Sequence, residues 1–223
     1  GSSLATETYN AYGLITASAD QDGLVTTYGY KSSRFITSIT SPSGDVTYLD
    51  YVGNNLSQIR VVSGGTTQTR TRYDYDSSNR LIRATVDLSP EDNSIADGNV
   101  YTTSYTWDGS SRRIASITQA DGGVQSFTYI QIGTEYRVAT ATDPLGRITR
   151  FAYDTVNRRT DMTDPLGYVT SFTYDATGQL TSVLSPAVNG VRFETKYAYD
   201  SAGNVVQIVD GNGNSVDLRY DTK

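Results

Sequence analysis

Apolar and polar residues alternate along most of this 223-residue chain. In a representative stretch, Thr149, Phe151 and Tyr153 occupy every second position, and Arg150 and Ala152 stand between them. A period of two in residues of high β propensity is typical of a strand with one apolar face, and it argues against a helix. Because the same alternation recurs along the chain, we predict an all-β protein.

Each alternating segment ends in an aromatic residue, which we call the marker and which is followed by Asp in the clearest copies. The intervals between successive markers are 21, 21, 24, 32, 22, 24, 21, 25 and 21 residues. A recurring period of this length indicates a repeat architecture, so we predict a single array of about nine to ten repeats over residues 4–223. The markers are Tyr9, Tyr30, Tyr51, Tyr75, Trp107, Tyr129, Tyr153, Tyr174, Tyr199 and Tyr220.

Two turn sequences, Asp-Pro-x-Gly and Asp-x-x-Gly, separate the predicted strands. The Asp carboxylate can bond backbone N–H groups two residues on, Pro suits the second position, and Gly accepts a positive φ at the last. The predicted turn residues are Asp143, Pro144, Gly146, Asp164, Pro165, Gly167, Asp175, Gly178, Asp200, Gly203, Asp210 and Gly213. Chain reversal about every ten residues predicts an antiparallel meander with strands of about six residues, roughly 20 Å long.

Some repeats depart from this pattern. Asn79 stands where Gly is expected, Asn55 is an acceptable substitute for Gly, and Arg34 is not an obvious one. The longest interval contains a polar insert near residues 85–104, which we expect to lengthen a hairpin and project from the sheet edge. This insert is either a partner-binding loop or a neutral surface insertion. A second longer turn is expected over residues 185–190.

Composition narrows the possible functions. The chain has 18 basic and 24 acidic residues, for a net charge of −6, and it contains neither histidine nor cysteine. This charge lacks the basic footprint of a nucleic-acid or anionic-membrane binder. The missing residue types exclude disulfides, thiolate zinc sites and a Ser-His-Asp arrangement. We therefore expect a protein that is not an enzyme, binds no metal or cofactor, and has no membrane-inserted segment.

Weaker signals have a competing structural explanation. Residues 210–214 resemble the start of a calcium loop, but Ser215 and Asp221 stand where that loop needs Gly and Glu. The turn aspartates could suggest paired acid catalysts, yet they recur at the turn period. The aromatic rows suit a packing surface better than a stacking platform for bases or sugars. Residues 55–57 match a glycosylation sequon.

The segment from Tyr174 to Val183, with Asp-Pro-Leu-Gly and Phe-Thr-Tyr-Asp around it, resembles the YD repeat of the RHS (rearrangement hotspot) family. The resemblance spans residues 9–221 and is strongest from residue 143. It implies a sheet that curls into a spiralling strip, as in the hollow shells of bacterial polymorphic toxins, the C component of insecticidal toxin complexes and teneurins. The family's Pro-x-Gly-Leu core signature is missing, so its self-cleaving aspartate has no counterpart among these residues.

The resemblance implies a non-catalytic segment of a shell that encloses or displays a polypeptide, such as a toxin, in a larger bacterial protein, secreted or on the cell surface. The expected partners are further repeats and the enclosed segment. The alternative is a carbohydrate-binding or adhesive stalk that presents a glycan-binding surface. We also expect the aromatic rows to face the concave side, raw terminal strands to associate end to end, and Gly1-Ser2-Ser3 to be a cloning scar on an excised piece.

Overall fold

A computed structural model describes residues 5–32, 34–92 and 94–221 of the chain, so the predicted cloning scar lies outside the described residues. These residues form nineteen β-strands and, as their single helical element, a 3-10 helix over Pro90–Asp92. The prediction of an all-β fold is confirmed. The strands are β1 Thr6–Tyr9, β2 Ile15–Ala19, β3 Val25–Lys31, β4 Phe35–Thr40, β5 Val46–Val52, β6 Asn55–Ser63, β7 Thr66–Tyr75, β8 Leu81–Asp87, β9 Val100–Trp107, β10 Ile114–Thr118, β11 Val124–Ile132, β12 Glu135–Thr142, β13 Ile148–Asp154, β14 Arg159–Thr163, β15 Val169–Tyr174, β16 Leu180–Leu184, β17 Glu194–Tyr199, β18 Val205–Val209 and β19 Ser215–Asp217.

The chain divides into two compact units, Gly1–Gly123 and Val124–Lys223. In the first unit, each strand from β1 to β9 pairs antiparallel with the strand that follows it. In the second unit, the strands from β11 to β19 pair in the same sequential way. Each unit is therefore the antiparallel meander that the spacing of turn residues predicts.

Residues other than glycine adopt positive φ at a few turns. Asn79 has a φ of 59°, which confirms the prediction that it takes the glycine place. The prediction for Asn55 is wrong, because Asn55 opens β6 and the turn before it is made by Gly53, with a φ of 61°. In the turn that contains Arg34, Ser32 takes the positive φ, at 60°.

The aromatic and β-branched residues of the repeats share one face of each meander, which we call the aromatic face. In the second unit, Phe151 lies opposite Met162, and Thr160 lies opposite Phe172. Polar residues such as Asp161 and Ser171 lie opposite each other on the other face, the back face. Apart from Pro90 in the long insert, no apolar side chain is buried within the described ranges, so neither meander closes a hydrophobic core of its own.

The long insert folds back onto the back face of the first unit. Pro90 is buried, and its carbonyl oxygen accepts a hydrogen bond of 3.0 Å from Nη2 of Arg70. Arg70 also lies 3.5 Å from the carboxylate of Asp87, and each residue exposes only 3% of its surface. The prediction that this insert projects from the sheet edge is wrong, because buried Pro90 and its hydrogen bond with Arg70 hold the 3-10 helix of the insert against the back face. Asn93, within the insert, lies outside the described residues.

The second long turn, between β16 and β17, is also fastened to the back face by an arginine. Arg192 donates from Nη2 to the carbonyl oxygen of Val169 at 3.0 Å and to Oγ of Ser171 at 3.2 Å. Its Nε donates to the carbonyl oxygen of Ser185 at 2.7 Å. These contacts bury Ser171, which is 6% exposed. Each long turn thus covers part of the back face and leaves the aromatic face of its unit open.

Candidate binding site

A β-bulge lies beside the marker in most repeats. In the repeat of Tyr30, Gly29 pairs with Ser38 and Tyr30 pairs with Ile36, so Thr37 is an extra residue on the following strand. A bulge leaves the extra residue unpaired and disrupts the ladder locally. The same register shift accompanies the markers Tyr9, Tyr30, Tyr51, Tyr75, Trp107, Tyr129, Tyr174 and Tyr199.

The next marker donates a hydrogen bond to the strand at this irregularity. The hydroxyl of Tyr30 donates at 2.6 Å to the carbonyl oxygen of Ile15, the residue that pairs with the preceding marker, Tyr9. We call this series of bonds the tyrosine ladder. Its other members are Tyr51 to Ile36 at 3.0 Å, the indole N–H of Trp107 to Leu81 at 3.0 Å, Tyr153 to Val138 at 2.8 Å, Tyr199 to Leu180 at 2.8 Å and Tyr220 to Val205 at 3.0 Å.

The repeat of Tyr153 lacks the bulge. Tyr153 pairs with Thr160 and Asp154 pairs with Arg159, in unbroken register. The turn is correspondingly one residue longer, and its positive φ, 50°, falls on Arg158. In the regular turns the Asp carboxylate bonds the second and fourth following N–H groups, as at Asp143. Asp154 instead bonds the second and third, at 3.1 and 2.9 Å.

The tyrosine ladder is interrupted at this repeat. The hydroxyl of the following marker, Tyr174, makes no hydrogen bond to any residue that the structure describes, and the regular pairing of β13 with β14 provides no bulge beside it. Tyr75 is another marker without a ladder bond, although a bulge lies beside Tyr51 before it. A cavity of about 700 Å³ opens beside Tyr174 on the aromatic face. We call it the notch; its floor is formed by Phe151, Tyr153, Thr160, Met162, Phe172 and Tyr174.

Two of the arginines that line the notch have no ion-pair partner among the described residues. The guanidinium carbon of Arg137 lies 5.2 Å from the centroid of the Tyr153 ring, a cation–π distance. Burial raises the pKa of Tyr153, and the charge of Arg137 opposes that shift. Arg158 approaches the carbonyl oxygen of Tyr174 at 3.4 Å through Nε. Neither Arg137 nor Arg158 forms an ion pair with a described residue, whereas Arg159 pairs with Asp161 at 3.1 Å.

The two carboxylates at the notch are occupied by their own turns. Asp154 accepts hydrogen bonds from the backbone and the side chain of Asn157, and these bonds lower its pKa. Asp175 accepts from the side chain and backbone N–H of Thr177 and from the N–H of Gln179, and the Thr177 hydroxyl contributes most to lowering its pKa. Three arginines and two ionised carboxylates therefore line the notch, and Arg137 and Arg158 are the arginines without a carboxylate partner among the described residues.

The other predicted turn residues lie in closely similar turns. The first carboxylate oxygen accepts N–H bonds from the second and fourth following residues at Asp143, Asp164, Asp175, Asp200 and Asp210. Pro144 and Pro165 occupy the second turn position, and φ lies between 76° and 89° at Gly146, Gly167, Gly178, Gly203 and Gly213. In the segment that resembles a calcium loop, both carboxylate oxygens of Asp210 accept bonds from Asn212 or Asn214.

Nothing in the sequence analysis singled out the notch. The sequence nevertheless carries a signal for it. Where the next repeat has Gly178-Gln179-Leu180, this repeat has Asn157-Arg158-Arg159. The turn glycine is therefore missing, and a charged residue stands in place of an apolar one. Across the described ranges, no group of three or more acidic residues is placed to hold a metal ion. Nor does any helix in those ranges have the length and apolar character needed to cross a bilayer.

Comparison with known proteins agrees with the repeat pattern. The RHS Repeat family matches residues 9–46, 137–167 and 153–187. No curated protein matches the chain significantly.

Three solved structures share the fold. The crystal structure of TcdB2-TccC3 without its hypervariable C-terminal region is 16% identical, with a TM-score of 0.63 over 94% of this chain. TcdB2-TccC3 and TcdB2-TccC3-TEV are 12% and 14% identical, each with a TM-score of 0.56, over 92% and 94% of this chain. This chain spans only 11 to 12% of the length of those chains. The family match identifies RHS repeats over residues 9–46 and 137–187, and the marker and turn spacing and the shared fold support an RHS/YD-repeat assignment for the chain.

Proposed function

We propose that this chain is a segment of the wall of an RHS-type shell that encloses or displays another polypeptide within a larger secreted or surface protein. The observation that carries the proposal is the open aromatic face. A sheet with one apolar face is stable when another layer covers that face. The described residues supply no such layer, since their aromatic side chains stay only partly buried. We infer that further polypeptide of the same protein provides this cover.

The structural neighbours support this proposal at the level of fold. These neighbours are structures of TcdB2-TccC3, and the YD repeats of this chain resemble those of the C component of insecticidal toxin complexes. The similarity covers nearly all of this chain but only about a tenth of each neighbour's chain. The role proposed here is correspondingly that of one part of a wall.

Site-specific photo-cross-linking tests the proposal. A photoreactive amino acid is placed at Tyr197, on the aromatic face of β17, or at its neighbour Lys196, on the back face, in the natural protein that contains these repeats. We expect peptides from other parts of the same polypeptide to be cross-linked from position 197 and not from position 196. Equal cross-linking from both positions, or none from position 197, would contradict the proposal.

We also propose that the segment has no catalytic role. The residues that most resemble acid catalysts are the turn aspartates, and their oxygens are already engaged by backbone N–H groups. The hydrogen bonds of these turns lower the pKa of Asp143, Asp175 and Asp210, so the carboxylates stay ionised and are poor proton donors. Hydrolase screening of the purified chain should give no turnover. Turnover that disappears when a turn aspartate is replaced by asparagine would overturn this proposal.

The adhesive stalk is the second candidate. It is favoured by exposed tyrosine rings, among them Tyr101 at 48% and Tyr136 at 46%, because such rings can stack on sugars. A glycan array separates the two functions. Saturable binding that is lost when Tyr101 or Tyr136 is replaced by alanine would favour a stalk, and the absence of binding would favour a shell wall.

A further inference from the structure

We propose that the notch binds a carboxylate carried next to an aromatic or aliphatic group, in the form of an acidic side chain within an extended peptide. The identity of the peptide's source rests on the proposed function, since the polypeptide enclosed by the shell would supply it. The chemistry of the site does not depend on that source.

The floor of the notch suits an apolar group. Phe151, Met162 and Phe172 are neighbours across β13, β14 and β15, and each is only partly buried. The cavity, at about 700 Å³, lies within the range of about 300–1,000 Å³ that is typical of ligand sites. A bound apolar side chain would remove these partly exposed surfaces from water, which is the usual driving force for such binding.

The hydroxyl of Tyr174 is a hydrogen-bond donor without an acceptor among the described residues. The phenol groups of Tyr30, Tyr51, Tyr153, Tyr199 and Tyr220 donate to main-chain carbonyl oxygens. At the notch, β14 has a regular register without a bulge, and the ring of Tyr174 lines the cavity. The missing acceptor is a carbonyl or carboxylate oxygen, and a peptide ligand carries both.

Two guanidinium groups select for negative charge. Arg137 and Arg158 line the notch and have no carboxylate partner among the described residues, although the whole chain carries a net charge of −6. Guanidinium groups form strong, directional hydrogen bonds with carboxylates. The acidic surface elsewhere disfavours a polyanion such as nucleic acid, and the apolar floor disfavours a small inorganic anion. An acidic side chain beside an apolar one satisfies both parts of the site.

Titration of the folded 223-residue chain with a matched pair of peptides tests the site. The probes are acetyl-Phe-Glu-Phe-amide and acetyl-Phe-Gln-Phe-amide, which differ in one charge, and binding is followed by NMR chemical shifts or calorimetry. We expect saturable binding of the Glu peptide and binding of the Gln peptide weaker by about tenfold or more, because a charge-assisted pair is lost. Equal affinities, or no saturable binding of the Glu peptide, would overturn the proposal.

Variants assign the binding to the notch. Arg158→Gly removes the guanidinium and keeps a residue that adopts positive φ without strain, so the turn is preserved. Arg158→Gly and Arg137→Gln should each lower the affinity for the Glu peptide by about three- to tenfold. Tyr174→Phe should lower it by a smaller factor. Arg150→Gln on the back face of β13, with Arg150 exposed and outside the notch, should leave the affinity unchanged. An equal loss in Arg150→Gln would overturn the assignment.

Two further titrations, with phenylacetate and with inorganic phosphate, test whether the site prefers a peptide carboxylate to other anions. Phenylacetate binding as tightly as the Glu peptide would move the proposal from a peptide to a free aromatic acid. Inorganic phosphate displacing the Glu peptide at the same concentration would show a general anion site and would overturn the proposal. Binding of the peptide without cross-linking from Tyr197 would support the notch and contradict the shell, so the two proposals fail separately.

Discussion

The marker residues stabilise the repeats through a polar contact as well as through their rings. In the members of the tyrosine ladder, the hydroxyl or indole group bonds a main-chain carbonyl beside the preceding marker's bulge. In three bulges the extra residue also helps, because the hydroxyls of Thr16, Ser57 and Thr181 donate to carbonyl oxygens of the preceding strand at 3.2, 3.1 and 3.1 Å. At the bulges beside Tyr9 and Tyr174, carbonyl oxygens on both strands thus accept a bond, one from the extra residue and one from the next marker.

Removal of one ladder hydroxyl should measurably destabilise the protein. Tyr199→Phe deletes the 2.8 Å bond to Leu180 and leaves that carbonyl without its partner, so we expect a loss of about 1 kcal/mol in the free energy of unfolding. Tyr174→Phe is the matched control, because its hydroxyl has no bond to lose, and it should change stability by less than about 0.5 kcal/mol. Urea denaturation measures both; equal losses would argue against the ladder.

The turn aspartates should make stability sensitive to acid. Their folded-state pKa is lowered, so their contribution is present above the unfolded pKa of about 3.9 and is lost as pH falls through the lower folded value. Asp175→Asn keeps the acceptor oxygen, as Asn10 does naturally in its own turn. Urea denaturation at pH 7 should find Asp175→Asn slightly less stable than the parent, because a neutral amide replaces the ionised acceptor.

Below about pH 4, the parent should lose stability more steeply than Asp175→Asn, because the asparagine cannot be protonated in this range. Parallel stability curves from pH 7 to pH 2 would contradict this account of the turn.

At the scale of elements, each long turn is fastened to the back face by an arginine. The pair of Arg70 and Asp87 is buried beneath the insert that contains Pro90, with side-chain exposures of 3% and 0%. By contrast, Arg83 and Asp74, on the neighbouring strands β8 and β7, form a pair at 2.7 Å with exposures of 55% and 46%. Burial, more than distance, should decide which ion pair contributes more to the free energy of unfolding.

Arg70→Ala should therefore destabilise the chain by about 3–5 kcal/mol, since it leaves Asp87 charged, buried and unpaired. Arg83→Ala should cost at most about 1 kcal/mol, because its pair is exposed to solvent. Thermal and urea unfolding give the two values, and limited proteolysis within residues 88–99 should become faster only in Arg70→Ala. Similar effects of the two substitutions would contradict the fastening role of Arg70.

A single substitution by glycine should change the register of the β13–β14 pair beside the notch. Regular markers pair six residues on, as Tyr174 does with Leu180, whereas Tyr153 pairs seven residues on, with Thr160. Asn157→Gly favours positive φ at the regular turn position, so we expect Tyr153 to pair with Arg159 and Thr160 to become a bulge.

Cross-strand NOEs or a crystal structure would show the shift, together with a new bond from Tyr174 that closes the notch. Asn79→Gly, at a position that already has a φ of 59°, is the control and should change no register. Retention of the pair between Tyr153 and Thr160 would refute the explanation.

The sequence predicts the strands and turns because their causes are local. Alternation sets the faces, and Asp with Gly closes each turn within five residues, as at Asp164 and Gly167. The insert could not be placed in this way, since its position depends on Arg70, which is distant in sequence. The notch also escaped prediction, because Asn157 is compatible with more than one turn and the register of the neighbouring strands decides between them.

At the scale of the whole chain, the exposed edge of strand β19 is the feature that should govern association between molecules. Strand β19 is exposed along Ser215–Asp217, and among the described strands it pairs with β18 alone. An unprotected edge offers unpaired backbone groups to a second molecule. We expect concentration-dependent association of the isolated chain, which remains a prediction.

Val216→Lys places a charge on this edge and should reduce the association, because natural edge strands use lysine to block pairing. Sedimentation velocity across a concentration series measures the effect. The control is Val156→Lys in the turn after β13, where an added charge meets no strand edge. A strictly monomeric parent, or an equal effect of both substitutions, would contradict the prediction.

The acceptors of the tyrosine ladder are main-chain atoms, and this has a consequence for how such arrays change over generations. A repeat can be gained, lost or exchanged as a block. An inserted repeat needs only an aromatic hydrogen-bond donor in its marker strand and a bulged strand that presents a carbonyl acceptor to the next marker. Side chains elsewhere are then free to drift, so that an architecture shared at only 16% identity with TcdB2-TccC3 has a physical explanation.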